Sequence, residues 1–401
     1  METSILLEEA VEQLEHFARE LEAETVDLQT ACGRIAAADL FAPRPQPPFD
    51  RSPLDGYAVR ARDVEGAGAQ SPVPLRVVDK LYAGDCAEKQ VCAGAAVRLM
   101  TGCMIPPGAD CVIRQEDTDG GEETVRIMAA VERHANICFC GEEYGTGERL
   151  IARGTRLDPA AVCVLAGAGF DRVPVCRKIR VGILITGDEV ASPGTPLPAG
   201  KIYDANHAYL AARLRELGAE VVFSEYVRDD LNALCARLSK ERCAGLDLLI
   251  TTGGVSVGQR DLIPAAVEQS GARTVFHGVR IKPGMPTLFA LQEQTLLLGL
   301  SGNPFSAAVA FELLIHPLFA AMTRSPRLQM RCAQAVAEGA FEKSSPVRRL
   351  LRARCLDGRV MIPTGQANGQ MRSMIGCNCL VDLPAGTRRV EPGQTVRVLF
   401  L

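Results

Sequence analysis

The chain has 401 residues, 47% hydrophobic and 23% charged, with a formal net charge of −4. That length calls for several domains, and the composition is that of a well-packed globule. No run of Lys or Arg supplies the basic face that nucleic acid or an anionic membrane surface requires, so neither is an expected partner; a small anionic ligand needs only a few local donors.

The opening METSILLEEAVEQLEHF carries acids within its apolar pattern, unlike a secretory signal, and no run of about 18 uninterrupted apolar residues predicts a membrane span. The expected location is the cytoplasm. Leu6, Leu7, Ala10, Val11, Leu14, Ala18 and Leu21 recur at three- and four-residue steps, which predicts an amphipathic helix over residues 4–21. Residues 25–40 read as a short strand and a second helix, ended by the proline-dense APRPQPPFDRSP. From Pro72 to about Arg133, the runs PLRVV, AVRLM, DCVIR and TVRIM are separated by Gly, Pro and Asp, the pattern of an all-β insertion. Residues 157–169 then read as a helix closed by Gly169.

Further on, strand-like runs at 180–185, 220–223, 246–251, 288–291 and 296–300 lie among helical stretches at 208–217, 231–238, 262–269 and 305–315. This alternation argues for a mostly parallel sheet covered on both faces. Beyond Pro326 the β character of RRLLRARC, RVMIP, CLVDLP and TVRVLF predicts a small barrel or sandwich. The expected fold is therefore multidomain, α/β plus β. It has a discontinuous N-terminal mixed helical domain (1–45 and 134–177), a β-rich insertion (46–133), a central α/β domain (178–326) and a C-terminal β-barrel (327–401).

The 15 cysteines are scattered singly, as free thiols are in a reducing compartment. The Cys138/Cys140 and Cys377/Cys379 pairs lack the two-to-four-residue spacing of structural zinc sites. The five histidines form no metal-binding pair.

In an open α/β sheet, ligands lie beyond the carboxyl ends of the strands. The turns there read Thr186-Gly187-Asp188-Glu189, then Thr252-Gly253-Gly254-Val255-Ser256-Val257-Gly258 with Asp261, then Ser301-Gly302-Asn303-Pro304. Asn303 suits an N-cap and Pro304 a first helical residue, so that helix end is an expected anion site. Glycines 253, 254 and 302 let backbone amides approach phosphate. Asp188, Glu189 and Asp261 are hard oxygen donors beside it, the chemistry of Mg2+. Lys282 sits on a Pro- and Gly-bracketed loop that favours a positioned cation, an anion contact, over the alternative of a surface lysine. Neither standard nucleotide fingerprint is present, which excludes a P-loop triphosphatase and a conventional NAD enzyme.

These turns, with Lys282-Pro283-Gly284, resemble the molybdopterin-binding domain. Ser52-Pro53-Leu54-Asp55-Gly56-Tyr57-Ala58-Val59-Arg60, Met100-Thr101-Gly102 and Pro106-Pro107-Gly108-Ala109-Asp110 extend the likeness to the molybdopterin molybdenumtransferase family, which includes the gephyrin E domain. The resemblance implies a four-domain homodimer whose active site joins the α/β domain of one subunit to the Asp55 region of the other. It implies transfer of molybdate to adenylylated molybdopterin, Mg2+-dependent, with release of AMP. By motif, Asp188, Glu189 and Asp261 serve the metal and pyrophosphate, with Glu189 and Asp261 also catalytic. Thr186, Gly187, Thr252, Gly253, Gly254, Ser256, Lys282, Ser301, Gly302, Asn303 and Pro304 hold substrate; Asp55 and Thr101 complete the site. Met285 stands where the pattern K-P-G-K-P has its second lysine, Ser301 where P-G-N-P begins with proline, and Gly141-Glu142-Glu143 where the pattern reads G-E-D. Alternative readings are a molybdopterin adenylyltransferase, a dimeric pterin-binding scaffold, or a divergent paralogue that prefers tungstate or is weakly active.

Overall fold

The computed structural model describes residues 2–256, 258 and 261–401. The chain divides into two compact units. One comprises Met1–Ala38, Arg153–Asp158 and Arg172–Leu401; the other comprises Asp39–Ala152 and Pro159–Asp171.

The first unit is built on a seven-stranded sheet. Its order is Glu2–Ile5, Arg273–Val279, Leu288–Gln292, Thr295–Leu300, Leu248–Thr252, Arg180–Thr186, Glu220–Val227. The last four strands run parallel, as predicted, while Leu288–Gln292 is antiparallel to both neighbours. Thr295–Leu300 and Leu248–Thr252 are buried at every residue, which explains their unbroken apolar runs. Glu220–Val227 lies at the edge and alternates between exposed and half-buried. Val181, Ile183 and Ile185 face helices Leu7–Phe17, Asn206–Glu216 and Pro304–Thr323; Leu184 and Leu249 face Leu231–Arg237 and Ile263–Gln269.

Several local expectations are corrected. The first helix is Leu7–Phe17, and the residues before it form the edge strand paired with Arg273–Val279. Residues 25–40 hold no α-helix. Ala23–Asp27 pairs antiparallel with Arg172–Cys176, a 3-10 turn follows at Leu28–Thr30, and Gly33 at φ +83° ends any helical course. The helix expected at 305–315 instead runs from Pro304 to Thr323, through Pro317. It is long and apolar enough to cross a membrane, yet it is buried along its length as the core helix of this unit.

The five strands Arg348–Leu356, Arg359–Met361, Cys332–Ala337, Thr395–Phe400 and Cys379–Leu383 close into a small barrel through pairing of the first with the last. The second unit holds the expected β insertion, a five-stranded sheet ordered Cys111–Arg114, Gly56–Val59, Ala95–Leu99, Val73–Leu81, Thr124–Ile127. Its helix Pro159–Ala168 ends at Gly169, at φ +94°.

Candidate functional site

Strands Arg180–Thr186, Leu248–Thr252 and Thr295–Leu300 are parallel neighbours, so their carboxyl ends share one edge. The turns beyond them interlock. Thr186 Oγ1 donates to the Thr252 carbonyl at 3.2 Å, and the Gly253 N–H donates to the Leu300 carbonyl at 3.0 Å. Gly253 stands at φ +88°, where a Cβ would lie 2.7 Å from the Thr186 carbonyl oxygen. Gly302 packs on Gly253, its own Cβ position 3.5 Å from the Gly253 Cα. At Gly253 only backbone without a side chain permits this approach. The three turns therefore converge, as the sequence reading requires.

The third turn departs from expectation. Asn303 is the N-cap of Pro304–Thr323, with extended backbone at φ −71° and ψ 123°, but its side chain makes no cap bond. Its N–H donates to Ser301 Oγ at 3.2 Å. Pro304 has no N–H, and Phe305 donates to the Asn368 carbonyl at 3.0 Å. The helix end expected to offer free amides is thus largely satisfied by the protein itself. The buried Arg352 guanidinium sits 3.6 Å over the Phe305 ring and donates to the carbonyls of Ala367 and Gln370. It thereby holds the Asn368 loop in place.

Asp188 and Glu189 are exposed. The Asp188 N–H donates to Asp229 Oδ2 at 3.2 Å, and the Asp229 N–H returns to Asp188 Oδ1 at 3.4 Å. Lys201 Nζ donates to the Asp188 carbonyl. Asp261 Oδ2 accepts from the Gly258 N–H at 2.7 Å. Among the described residues no three His, Cys, Asp or Glu side chains gather into a metal-holding group. Asp188 and Glu189 share one turn and Asp261 lies on another, and the three form no preassembled cage. This donor set fits only an ion held by one or two carboxylates, with substrate phosphate supplying further oxygens, which is the habit of Mg2+. A cavity of about 540 Å³ adjoins, lined by Gly187, Asp188, Lys201, Tyr226 and Arg228. Another, of about 570 Å³, opens at the opposite edge around the Arg177–Asp247 pair, away from these turns.

Ser256 is exposed, and Val257 lies outside the described residues. Lys282 is exposed on a short strand paired with the barrel strand Arg348–Leu356. Two residues on, Gly284 packs on the first turn of the core helix, its Cβ position 3.3 Å from the Ser306 carbonyl oxygen. Met285 is 42% exposed.

In the second unit, Gly56 lies so close to its neighbour strand that a Cβ would fall 2.0 Å from the Ile113 carbonyl oxygen. This packing sets Asp55 at the strand's start, opposite Thr101. Asp55 Oδ1 accepts the Thr101 N–H at 2.7 Å and its hydroxyl at 2.8 Å. The amide, then the hydroxyl, hold the Asp55 carboxyl below the usual carboxylate range, with the Arg98 charge adding to them.

Comparison with known proteins agrees with this architecture. Residues 5–169 match the MoeA N-terminal region (domains I and II), 182–321 a probable molybdopterin binding domain, and 334–401 the MoeA C-terminal region (domain IV). The chain is 38% identical over 407 residues to the molybdopterin molybdenumtransferase of Bacillus subtilis, covering 100% of this chain and 94% of that one. It is 34% identical over 400 residues to the Staphylococcus aureus protein of that name, covering 99% and 95%. The chain belongs to the molybdopterin molybdenumtransferase family. A MoeA molybdopterin biosynthesis protein from Pyrococcus horikosii has the same fold, with a TM-score of 0.87 at 30% identity over 99% of both chains. Membership places the chain among the transferases of molybdenum cofactor biosynthesis.

Within this molybdenumtransferase-family fold, the sequence reading missed three residues at the turns. Asp229 follows strand Glu220–Val227, which runs four residues past the expected end at 223 and so brings Arg228-Asp229-Asp230 to the sheet edge as a fourth turn. Asn206 opens helix Asn206–Glu216, and its Nδ2 donates to the Gly302 carbonyl at 2.9 Å. Asn368 comes from the distant barrel region, and no local pattern marks it.

Proposed function

We propose that this chain transfers molybdate to adenylylated molybdopterin in the cytoplasm, cleaving the phosphoanhydride and releasing AMP. The carrying observation is the convergence of the 186–189, 252–258 and 301–304 turns at one sheet edge, with carboxylates beside them. In this reading Gly254 offers its backbone to phosphate and Gly253, whose own N–H is taken by the Leu300 carbonyl, leaves room for it, aided by Thr186, Gly187, Thr252 and Ser256. Gly302, Asn303 and Pro304 bound the pterin side, and Lys282 supplies a cation near the oxyanion. Asp188 or Glu189, with Asp261, would hold Mg2+ together with substrate oxygens. The chemistry supplied by the bound ion is neutralisation of charge on the phosphoanhydride. The protein's own part is to hold two anions together in the orientation that reacts. The pterin's dithiolene itself binds the metal. Asp55 and Thr101 complete the site from the second subunit of a homodimer, and Asp55, kept ionised by Thr101, orients without giving up a proton.

The test is AMP release by purified protein given adenylylated molybdopterin and Mg2+, with molybdate and tungstate in parallel arms. Oxyanion-dependent AMP release that stops on chelation is expected. Exposed Met285, where the family pattern has lysine, favours the scaffold reading. Tight pterin binding without AMP release in either arm would establish that reading instead.

A further inference from the structure

The turn after strand Leu248–Thr252 is tied down through its carbonyls. Thr252 accepts from Thr186 Oγ1 at 3.2 Å, and Gly254 accepts the Ile263 N–H at 3.0 Å. The Val255 side chain is buried over Gly299, whose Cβ position lies 2.9 Å from Val255 Cγ2. The Val255 carbonyl oxygen lies 2.7 Å from His277 Nε2. A carbonyl only accepts, so the ring carries a hydrogen at Nε2 whatever its charge, and donates it.

That bond also sets the amide that follows. In a trans peptide the C=O and the next N–H point opposite ways, and the Val255–Ser256 bond is trans. His277 belongs to strand Arg273–Val279, three places along the sheet from Leu248–Thr252. A carbonyl drawn toward that strand leaves the Ser256 N–H aimed back toward the strand ends where the turns meet, and Ser256 is exposed. The Gly253 N–H is already taken by the Leu300 carbonyl, and the Asn303 and Phe305 amides are taken too, so this donor matters to an anion. The imidazole itself stands apart. It borders a cavity of about 380 Å³ with Glu268 and Thr274, and none of the described residues of the three turns lines that space. We infer that His277 is a positioning residue for the proposed reaction, its Nε2–H fixing the Val255–Ser256 peptide in the orientation that offers the Ser256 amide to the ligand's phosphate. This rests on the reading under Proposed function and deepens it. A donor held in place beforehand needs no reorganisation when charge develops on the phosphate.

The experiment compares wild type, His277→Phe and His277→Gln for binding of inorganic pyrophosphate, with thermal melts alongside and histidine ring nitrogen shifts recorded by NMR on the wild type. His277→Phe keeps the bulk of a ring without its donor and is expected to weaken pyrophosphate binding about tenfold, the loss of one hydrogen bond to a charged group. His277→Gln presents an amide N–H near the place of Nε2 and is expected to stay within about twofold of wild type. In the wild type, Nε2 of His277 should be the protonated nitrogen. Binding unchanged in His277→Phe would overturn the inference. So would a loss in His277→Gln as large as in His277→Phe, or a His277 ring protonated on Nδ1 alone. Neither the glutamine arm nor the ring shifts require His277→Phe to fold. Wild-type protein that binds no pyrophosphate would overturn the phosphate role given to this turn under Proposed function, and the inference would fall with it; the wild-type arm alone reports that result.

Discussion

Asp55 and Thr101 form a closed pair in which a single oxygen, Asp55 Oδ1, accepts both the amide and the hydroxyl of Thr101, at 2.7 and 2.8 Å. Both bonds favour the ionised carboxyl, and the amide is the larger cause of its lowered pKa. Thr101→Ala removes the hydroxyl and keeps the amide. The Asp55 pKa should therefore rise part of the way to the ordinary value, as read by NMR titration against Asp55→Asn. With Asp55 needed as an anion, the acid limb of the rate profile moves to higher pH in Thr101→Ala. An unmoved limb would show that Asp55 ionisation does not govern turnover.

Glu312 is the charge most deeply built into the core helix. It is 1% exposed and accepts from Tyr209 at 2.6 Å, Arg213 at 2.8 Å through two nitrogens, and His316 at 3.0 Å. Burial alone would raise its pKa. The bonds from His316 and Arg213 overcome that and bring it down to about 2 from an ordinary 4.5. As pH falls, the unfolded chain takes up this proton first. The contribution to stability is thus complete above about pH 4.5 and is lost progressively toward pH 2. Glu312→Gln should destabilise the fold by about 3–5 kcal/mol near neutral pH, since it removes the buried anion of Arg213 and leaves only the exposed Glu216 as its counter-charge. Urea unfolding at neutral pH and at pH 3 gives both numbers, and the variant's deficit should shrink at the lower pH.

Asp261→Asn separates charge from shape. Its amide oxygen can still accept the Gly258 N–H that Asp261 Oδ2 now takes at 2.7 Å. Thermal stability should stay near wild type. Turnover should fall by about 100-fold or more, the loss expected when a group stabilising transition-state charge is removed. The Mg2+ concentration giving half-maximal rate should rise as well. Wild-type turnover in this variant would remove Asp261 from the site.

Two glycines in the same cluster should answer differently to alanine. Gly253→Ala places a Cβ 2.7 Å from the Thr186 carbonyl oxygen at φ +88°, a strained and crowded position that should cost about 2–4 kcal/mol. Gly302→Ala meets only the Gly253 Cα, at 3.5 Å, which is ordinary contact. Melting curves of the two variants should differ accordingly. Equal losses would mean that the turns are less closely interlocked than described.

The parallel core strands were legible because burial on both faces leaves an unbroken apolar signature, as in Leu296 to Leu300. The turn glycines were legible because a positive φ or a close backbone contact narrows the choice to one residue type, as at Gly253. Strand Arg273–Val279 was not legible. His277 and Gly278 interrupt its pattern, and it is stabilised by pairing with residues on both sides, including the chain's first strand.

By itself the sequence determined the α/β alternation, the β insertion, the glycines and the acids that follow the strands, because each of these is written in neighbouring residues. Only the tertiary structure decided that Ser301 and Asn368 take up amides at the helix end, that Asp229 faces Asp188, and that Asn206 lies against Gly302. Those are hydrogen bonds whose geometry appears only once the backbone has closed, most of them between residues far apart in the chain, and local spacing carries no trace of them.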